Sequence, residues 1–158
     1  MAVATAPYQE KTDEQKAITE MVRQFVDNEI IPVAEEFDHE DKFPEAIVEQ
    51  MKELGLFGAT ISPEYGGLGL PATTYAEIVM RISAVWMAIT GIFNSHLMLA
   101  LAVEKFGTPR QKEHWLPKFA TGEIRGGLAL TEPDAGTDLQ SIRMVAKRDG
   151  NDGYVING

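Results

Sequence analysis

The segment Leu128-Ala129-Leu130-Thr131-Glu132-Pro133-Asp134-Ala135-Gly136-Thr137-Asp138 marks the point where the sequence changes from helical to strand-like patterning. A short apolar run ends at Thr131, and a turn rich in Pro, Asp and Gly leads to a second hydroxyl at Thr137. Such a turn can place backbone N–H groups and two hydroxyls around an anionic ligand. Taken alone it is also typical of an ordinary turn, in which we expect Asp138 to accept backbone N–H bonds rather than to act in catalysis.

Helical patterning precedes this segment. Capping boxes at Thr12–Gln15 and Thr108–Gln111 predict the starts of two helices. Pro32 is expected to kink or interrupt the first helix because it lacks a backbone N–H. Pro44 and Gly55 bracket a second helix that presents its apolar residues on one side, and another helix is predicted over residues 71–84.

A very apolar helix is predicted from about Val85 or Trp86 to Phe106. Because it is apolar nearly all round, we expect it to be buried, with His96 as a hydrogen-bonded core or pocket-wall residue. Polar residues at 94–96 interrupt its apolar run, which argues against a membrane span. Gly91, Asn94 or Ser95, and Met98 share one face by their spacing. For Met98, plain core packing is the favoured interpretation over a pocket position.

Strand-like patterning follows Gly122. The apolar run at residues 126–130, Ile142, Val145 and Tyr154–Ile156 are of β type, and Asp149–Gly153 is a hairpin turn between two of them. We therefore predict a disordered tail over residues 1–11, a helical domain over 12–123, and the beginning of an incomplete β domain over 124–158.

Composition excludes several classes of function. The 158 residues carry 14 basic and 24 acidic side chains, a net charge of −10, which disfavours binding to nucleic acid or anionic lipid. The absence of Cys excludes disulfides, thiolate catalysis and Cys-zinc sites, and the three separated histidines predict no metal site. The first eight residues lack the features of a signal or transit peptide, so we expect a cytoplasmic protein.

The order and spacing of several motifs resemble the acyl-CoA dehydrogenase family. The resemblance begins at about Thr12 and implies a mainly α fold: an N-terminal helical domain followed by the first strands of a β-barrel middle domain. It rests on Pro63–Gly69, Phe106–Lys112, Leu116-Pro117, Gly122-Glu123, Leu130–Asp138, Asp149-Gly150 and Tyr154–Gly158.

Members of this family are FAD-dependent, so the resemblance implies a role for the turn in binding FAD. Leu130 and Thr131 would contact the pyrimidine edge of the flavin, and Gly136 would let the backbone approach closely. Leu128 stands where many members carry an aromatic residue against the flavin. Thr137 stands where Ser is common, near the FAD pyrophosphate and the substrate thioester.

The resemblance also implies a substrate pocket. The apolar helix resembles the one that closes the family's acyl-chain cavity, so Gly91, Asn94 and Met98 are predicted to bind substrate together with Thr137. The family's catalytic Glu is usually in the C-terminal domain, and its next flavin-binding segment follows the position of Gly158. No catalytic residue is therefore assigned, and we expect the chain alone to be inactive.

Three hypotheses follow. The first is the N-terminal portion of an acyl-CoA dehydrogenase that oxidises acyl-CoA to trans-2-enoyl-CoA, donates electrons to an electron-transfer flavoprotein, and forms a homotetramer or dimer. The second is an acyl-CoA oxidase or flavin monooxygenase with the same fold. The third is a non-catalytic helical assembly module, whose unpaired strand edges and uncovered apolar surface would favour association.

Overall fold

The computed structural model describes residues 10–150 and 153–158. The chain divides into two compact units, one ending at Gly127 and the other spanning Leu128–Gly158. The first unit is helical and the second holds a two-stranded antiparallel sheet, so the predicted mainly α fold class with initial β strands is confirmed. Most of the predicted tail lies outside the described residues.

Within residues 10–127, the described part of the first unit, six α-helices are joined by shorter helical turns. Their bounds are α1 Asp13–Phe25, α2 Ile31–His39, α3 Glu45–Glu53, α4 Ala72–Ser83, α5 Met87–Phe106 and α6 Pro109–Ala120. A π-helical segment spans Val26–Ile30, and 3-10 turns span Leu56–Gly58 and Pro63–Tyr65. The second unit has a 3-10 turn over Leu139–Ser141 and strands β1 Val145–Asp149 and β2 Gly153–Asn157.

Local sequence signals set the helix ends. The hydroxyl of Thr12 accepts the Gln15 N–H at 3.2 Å, and the Gln15 side chain accepts the Thr12 N–H at 3.2 Å. Thr108 and Gln111 repeat this capping box at the start of α6. Each reciprocal pair satisfies two N–H groups that the helix itself cannot bond. Both predicted capping boxes are confirmed.

The predicted interruption at Pro32 is also confirmed. The π-helical segment Val26–Ile30 ends immediately before α2, in which Pro32 occupies the first turn. A proline there removes one N–H and crowds the preceding turn, and the wider π turn accommodates both effects. The chain therefore continues as a helix on either side of the irregular turn.

The core of the first unit surrounds the inner face of α5, which packs against α4, α6 and the Leu56–Gly58 turn. Buried side chains of α1 and α3 belong to the same hydrophobic cluster. Gly122 ends α6 in the left-handed region at φ 71°, which suits a residue without a Cβ. The fully buried large side chains include Phe57, Phe93, Ile30, Met51, Ile78, Ile89 and Leu116.

The prediction that α5 is a buried helix holds only for its inner face. Its inner face is buried, but Met87, Met98, Leu101 and Phe106 on other faces are between 44% and 86% exposed. A helix rich in apolar residues on every side does not reveal which side a neighbour covers. By length and composition α5 could also cross a bilayer, which is weak evidence because buried core helices share that composition.

The second unit is a hairpin preceded by turns. Strand β1 pairs antiparallel with β2, from Val145 opposite Asn157 to Asp149 opposite Gly153. The predicted hairpin is confirmed, and the structure supplies its register. Residues 151–152 of the predicted turn lie outside the described residues. The run at residues 126–130 forms no strand, and Ile142 follows a 3-10 turn instead of joining β1, so these two predictions were wrong. A segment of β-type composition forms a strand only when another strand lies beside it to share backbone hydrogen bonds.

Candidate functional site

The predicted ligand turn is closed by two backbone hydrogen bonds. The Glu132 N–H donates to the Ala135 carbonyl at 2.8 Å, and the Ala135 N–H donates to the Glu132 carbonyl at 3.2 Å. Pro133 and Asp134 form the corner, where proline pre-sets its φ angle. Ala135 is 2% exposed, so its side chain is buried. The two hydrogen bonds therefore close the turn between Glu132 and Ala135.

The carboxylates of the turn are occupied by structural contacts. Asp138 accepts the Gln140 N–H at 3.1 Å and the Ser141 hydroxyl at 2.6 Å, so the predicted N–H-accepting role of Asp138 is confirmed. Asp134 forms an ion pair with Arg143 at 3.2 Å. These contacts offset part of the negative charge that would otherwise repel an anionic ligand from the turn.

Glu132 has a structural role that the sequence did not indicate. Its carboxylate accepts the Arg143 N–H at 2.7 Å and the Met144 N–H at 2.9 Å. These two residues immediately precede β1, so Glu132 ties the base of the hairpin to the turn. No local pattern could have found this contact, because it joins positions 11 and 12 residues apart in irregular backbone.

Hydrogen-bond donors of the turn remain available. Thr131 and Thr137 are exposed, and within residues 10–150 and 153–158 neither hydroxyl has a hydrogen-bond partner. The N–H groups of Gly136 and Thr137 also lack partners in that part of the chain. A Cβ built on Gly136 would meet no atom within 4 Å, so the backbone there is open to close approach. The turn can therefore donate hydrogen bonds to a bound acceptor.

Two apolar side chains flank these donors. Leu128 is 42% exposed and Leu130 is 40% exposed, both on irregular backbone. A ligand with an apolar ring system and polar edges could pack its ring against these side chains and accept hydrogen bonds at its edges from the donors. The chemistry of the donor set thus fits a flavin, and the contacts predicted for Leu128, Leu130, Thr131, Gly136 and Thr137 stay predictions.

The second set of predicted residues lies on the outer face of α5 in the first unit. Gly91, Asn94, Ser95 and Met98 are all exposed on this face. Met98 is 44% exposed, so the prediction of core packing for Met98, which was favoured from the sequence, was wrong. We call these four residues the α5 stripe. A Cβ on Gly91 would meet nothing within 4 Å, which leaves a shallow opening in the stripe.

Asn94 in the α5 stripe has a fixed orientation. Its side-chain oxygen accepts a hydrogen bond from the Tyr75 hydroxyl at 2.7 Å. Burial raises the pKa of Tyr75, which keeps this hydroxyl protonated and able to donate. The Asn94 amide nitrogen is consequently the group that could donate outward to a ligand.

His96 lies beneath the stripe, on the buried side of α5. It is fully buried, and its Nε2 lies 3.0 Å from the carbonyl oxygen of Phe119. Burial lowers the pKa of His96, so the neutral ring is favoured. The prediction of a hydrogen-bonded core histidine is confirmed. Among the residues that the structure describes, no group of three or more His, Asp or Glu is arranged to hold a metal ion.

Comparison with known proteins identifies the fold. A sequence model of the "Acyl-CoA dehydrogenase, N-terminal domain" matches residues 12–123. The chain belongs to the acyl-CoA dehydrogenase family. It is 40% identical over 148 residues to the short-chain specific acyl-CoA dehydrogenase of Clostridium acetobutylicum, an alignment that covers 93% of this chain and 39% of that protein.

Solved structures of the family share this architecture. The butyryl-CoA dehydrogenase of Megasphaera elsdenii superposes with a TM-score of 0.85 at 26% identity over 96% of this chain. A chain from the structure titled electron transferring flavoprotein of Acidaminococcus fermentans gives a TM-score of 0.86 at 32% identity over 96% of this chain. In both cases 40% of the other chain is covered. The chain thus spans about two fifths of the length of the relatives it matches.

Proposed function

We propose that this chain is the N-terminal part of an FAD-dependent acyl-CoA dehydrogenase, which oxidises acyl-CoA to trans-2-enoyl-CoA. The observation that carries the proposal is the turn at residues 128–138 in a member of this family. Among the described residues, the Thr131 and Thr137 hydroxyls and the Gly136 and Thr137 N–H groups have no hydrogen-bond partner, so they can donate to a ligand. The short-chain dehydrogenase and butyryl-CoA dehydrogenase relatives support the substrate class.

In this proposal the turn holds one side of the flavin. Thr131 and the backbone of Leu130 donate to the pyrimidine edge, where negative charge develops on reduction. Gly136 and Thr137 face the pyrophosphate, and Leu128 contributes apolar contact. FAD supplies the hydride acceptor, while the protein supplies position and electrostatics. Donors already held in place stabilise the developing charge without reorganisation, and loss of one typically costs about 3 kcal/mol.

The α5 stripe forms part of the acyl-chain pocket in the same proposal. Gly91 leaves room for an alkyl chain, Met98 gives an adaptable apolar contact, and Asn94 is oriented by Tyr75. Thr137 lies toward the thioester, where its methyl group narrows the approach more than a serine would. None of these residues is proposed as the catalytic base.

The proposed partners are an electron-transfer flavoprotein and further copies of the chain. The structural likeness to a chain from an electron transferring flavoprotein study supports the first. Assembly as a homotetramer or dimer is proposed from the resemblance to the family. We place the protein in the cytoplasm, which agrees with the absence of Cys.

The test uses the protein encoded by the complete reading frame that contains this chain. It should bind FAD, detected by flavin absorbance, and should reduce a dye when short acyl-CoA is added under anaerobic conditions. Replacement Thr131→Val should lower kcat by on the order of a hundredfold through loss of one donor. Thr73→Val, at an exposed position on α4, is the matched control and should change neither FAD binding nor turnover.

Three outcomes would contradict parts of this proposal. A complete protein without flavin would overturn it entirely. Turnover that requires oxygen would favour the oxidase or monooxygenase chemistry on the same scaffold. Acyl-CoA-dependent dye reduction by the 158-residue chain alone would contradict the expectation that the catalytic base lies outside it.

A further inference from the structure

The segment that leads from α6 toward the ligand turn is anchored to the first unit by successive residues. The Ile124 N–H donates to the Lys118 carbonyl at 3.3 Å. The guanidinium carbon of Arg125 lies 6.0 Å from the ring centre of Phe43 and 5.9 Å from that of Phe57. Both distances are within the range of cation–π attraction. We call residues 124–127 the anchored linker.

The next two residues of the anchored linker lie directly against α5. A Cβ on Gly126 would come within 2.3 Å of the Leu99 side chain, so only glycine permits this approach without a shift. A Cβ on Gly127 would be 3.7 Å from the Cβ of Ser95 in the α5 stripe. The linker backbone therefore runs closely along α5 before the second unit begins at Leu128.

One buried side chain bonds this backbone. The Gly126 N–H donates to Nδ1 of His96 at 3.4 Å, while Nε2 of the same ring lies 3.0 Å from the Phe119 carbonyl oxygen. A carbonyl oxygen only accepts hydrogen bonds, so Nε2 must carry the ring proton. A neutral imidazole has one N–H, which leaves Nδ1 as an acceptor. The bond to Gly126 thus requires the neutral Nε2–H tautomer.

We propose that His96 is a positioning residue whose neutral Nε2–H form fixes the backbone of the anchored linker at Gly126, and whose protonation releases Gly126. This proposal concerns the first unit and does not depend on the proposed function. When both ring nitrogens carry protons, Nδ1–H faces the Gly126 N–H, and two donors cannot bond each other. The contact to Phe119 is kept in either state.

The surroundings of the ring determine when this release occurs. The rings of Phe57 and Phe119 lie 5.3 and 5.4 Å from His96 in edge-on contacts. Their backbone carbonyls favour a protonated ring, but burial and the charge of Arg125 oppose it, and the pKa of His96 is lowered. Arg125, on the anchored linker, is the charged group whose proximity lowers the pKa of His96.

The sign of the pH effect follows from this direction. In the unfolded chain the histidine pKa is about 6.5. Because the pKa of His96 is lowered in the folded protein, the unfolded chain takes up the proton first as the pH falls. The contribution of His96 to folding is therefore fully present above about pH 6.5 and is lost as the pH falls toward the lowered pKa.

The experiment follows the Gly126 amide by NMR in the 158-residue chain labelled with ¹⁵N, without flavin. At about pH 7.5, where an ordinary histidine is neutral, the imidazole ¹⁵N shifts should show Nε2 protonated and Nδ1 bare. The hydrogen-exchange protection factor of Gly126, corrected for intrinsic exchange, should fall by roughly tenfold when the ring is protonated, as expected for loss of one hydrogen bond.

Two variants separate positioning from packing. His96→Asn keeps an acceptor near the Nδ1 position but cannot titrate in this range, so Gly126 should stay protected as the pH falls. His96→Gln keeps a donor near the Nε2 position and loses the acceptor, so Gly126 should lose protection even at about pH 7.5. The amides of α5 and α6 should change far less in both variants.

The proposal is overturned if the ring is the Nδ1–H tautomer, or if Gly126 is as protected in His96→Gln as in the unaltered chain. Equal loss of protection throughout α5 and α6 would also overturn it, since that indicates a packing role only. If the chain unfolds in acid before the ring titrates, the protection of Gly126 in the two variants at neutral pH still decides between positioning and packing. These results are independent of whether the complete protein binds FAD, so failure of either idea is recognisable.

Discussion

The helical unit encloses its large apolar side chains, whereas the hairpin unit carries them in the open. Phe57, Phe93 and Ile89 are fully buried, but Val155 and Ile156 are more than half exposed. A two-stranded hairpin is marginally stable without a further sheet or covering helix. Burial of apolar side chains is therefore the main source of folding free energy in the helical unit. The hairpin is held by hydrogen bonds at its base instead.

The largest expected effect tests the core of the helical unit. Phe93→Ala removes a fully buried ring from the inner face of α5 and should lower the free energy of unfolding by about 3–5 kcal/mol. Urea denaturation followed by far-UV circular dichroism measures it. Phe106→Ala on the same helix, at 86% exposure, is the control and should change the stability by less than about 0.5 kcal/mol. Equal effects of the two variants would show that α5 is not packed by its inner face.

A smaller and more local effect is expected in the hairpin unit. Glu132→Ala removes the acceptor of the Arg143 and Met144 N–H groups and should destabilise the base of the hairpin by about 1–2 kcal/mol. Hydrogen exchange of those two amides measures the effect. Global melting would not detect it, because the helical unit should melt as in the unaltered chain. Glu123→Ala, an exposed glutamate without such contacts in the described chain, is the matched control. A shift in the melting of the helices would contradict the separation between the units.

The smallest effect concerns a helix end. Thr108→Ala breaks the capping box at the start of α6 and should cost about 1 kcal/mol of global stability. Thr108→Ser keeps the hydroxyl and serves as the control, with stability close to that of the unaltered chain. Thermal melting of both variants provides the measurement. If the alanine variant leaves the melting curve unchanged, α6 depends on packing alone and the cap is redundant.

Local signals predicted much of the helical unit. The capping boxes at Thr12 and Thr108 and the irregular turn before Pro32 depend on atoms within four residues, so they can be found without knowledge of the fold. The hairpin between β1 and β2 was also predictable, because its turn and both strands are contiguous in sequence. The hydrogen-bonded core role of His96 was also predicted, although the composition of its helix did not show which faces are buried.

The errors have one cause in common. Residues 126–130 have β-type composition but form no strand, and Met98 lies exposed on a helix that is apolar on every side. In each case the outcome depends on which element lies alongside, and composition does not encode the neighbour. The candidate site was predicted through resemblance in the order of motifs, while the free donors of the turn became visible only with its hydrogen bonds assigned.

By itself, the sequence determined the helix ends, the hairpin and the family, because capping groups, turn residues and ordered motifs act over short separations along the chain. Only the tertiary structure decided that Glu132 holds the base of the hairpin, that the α5 stripe faces outward, and that His96 bonds Gly126 across 30 residues. These contacts join distant positions, and their existence depends on how the helices pack, which no local pattern specifies.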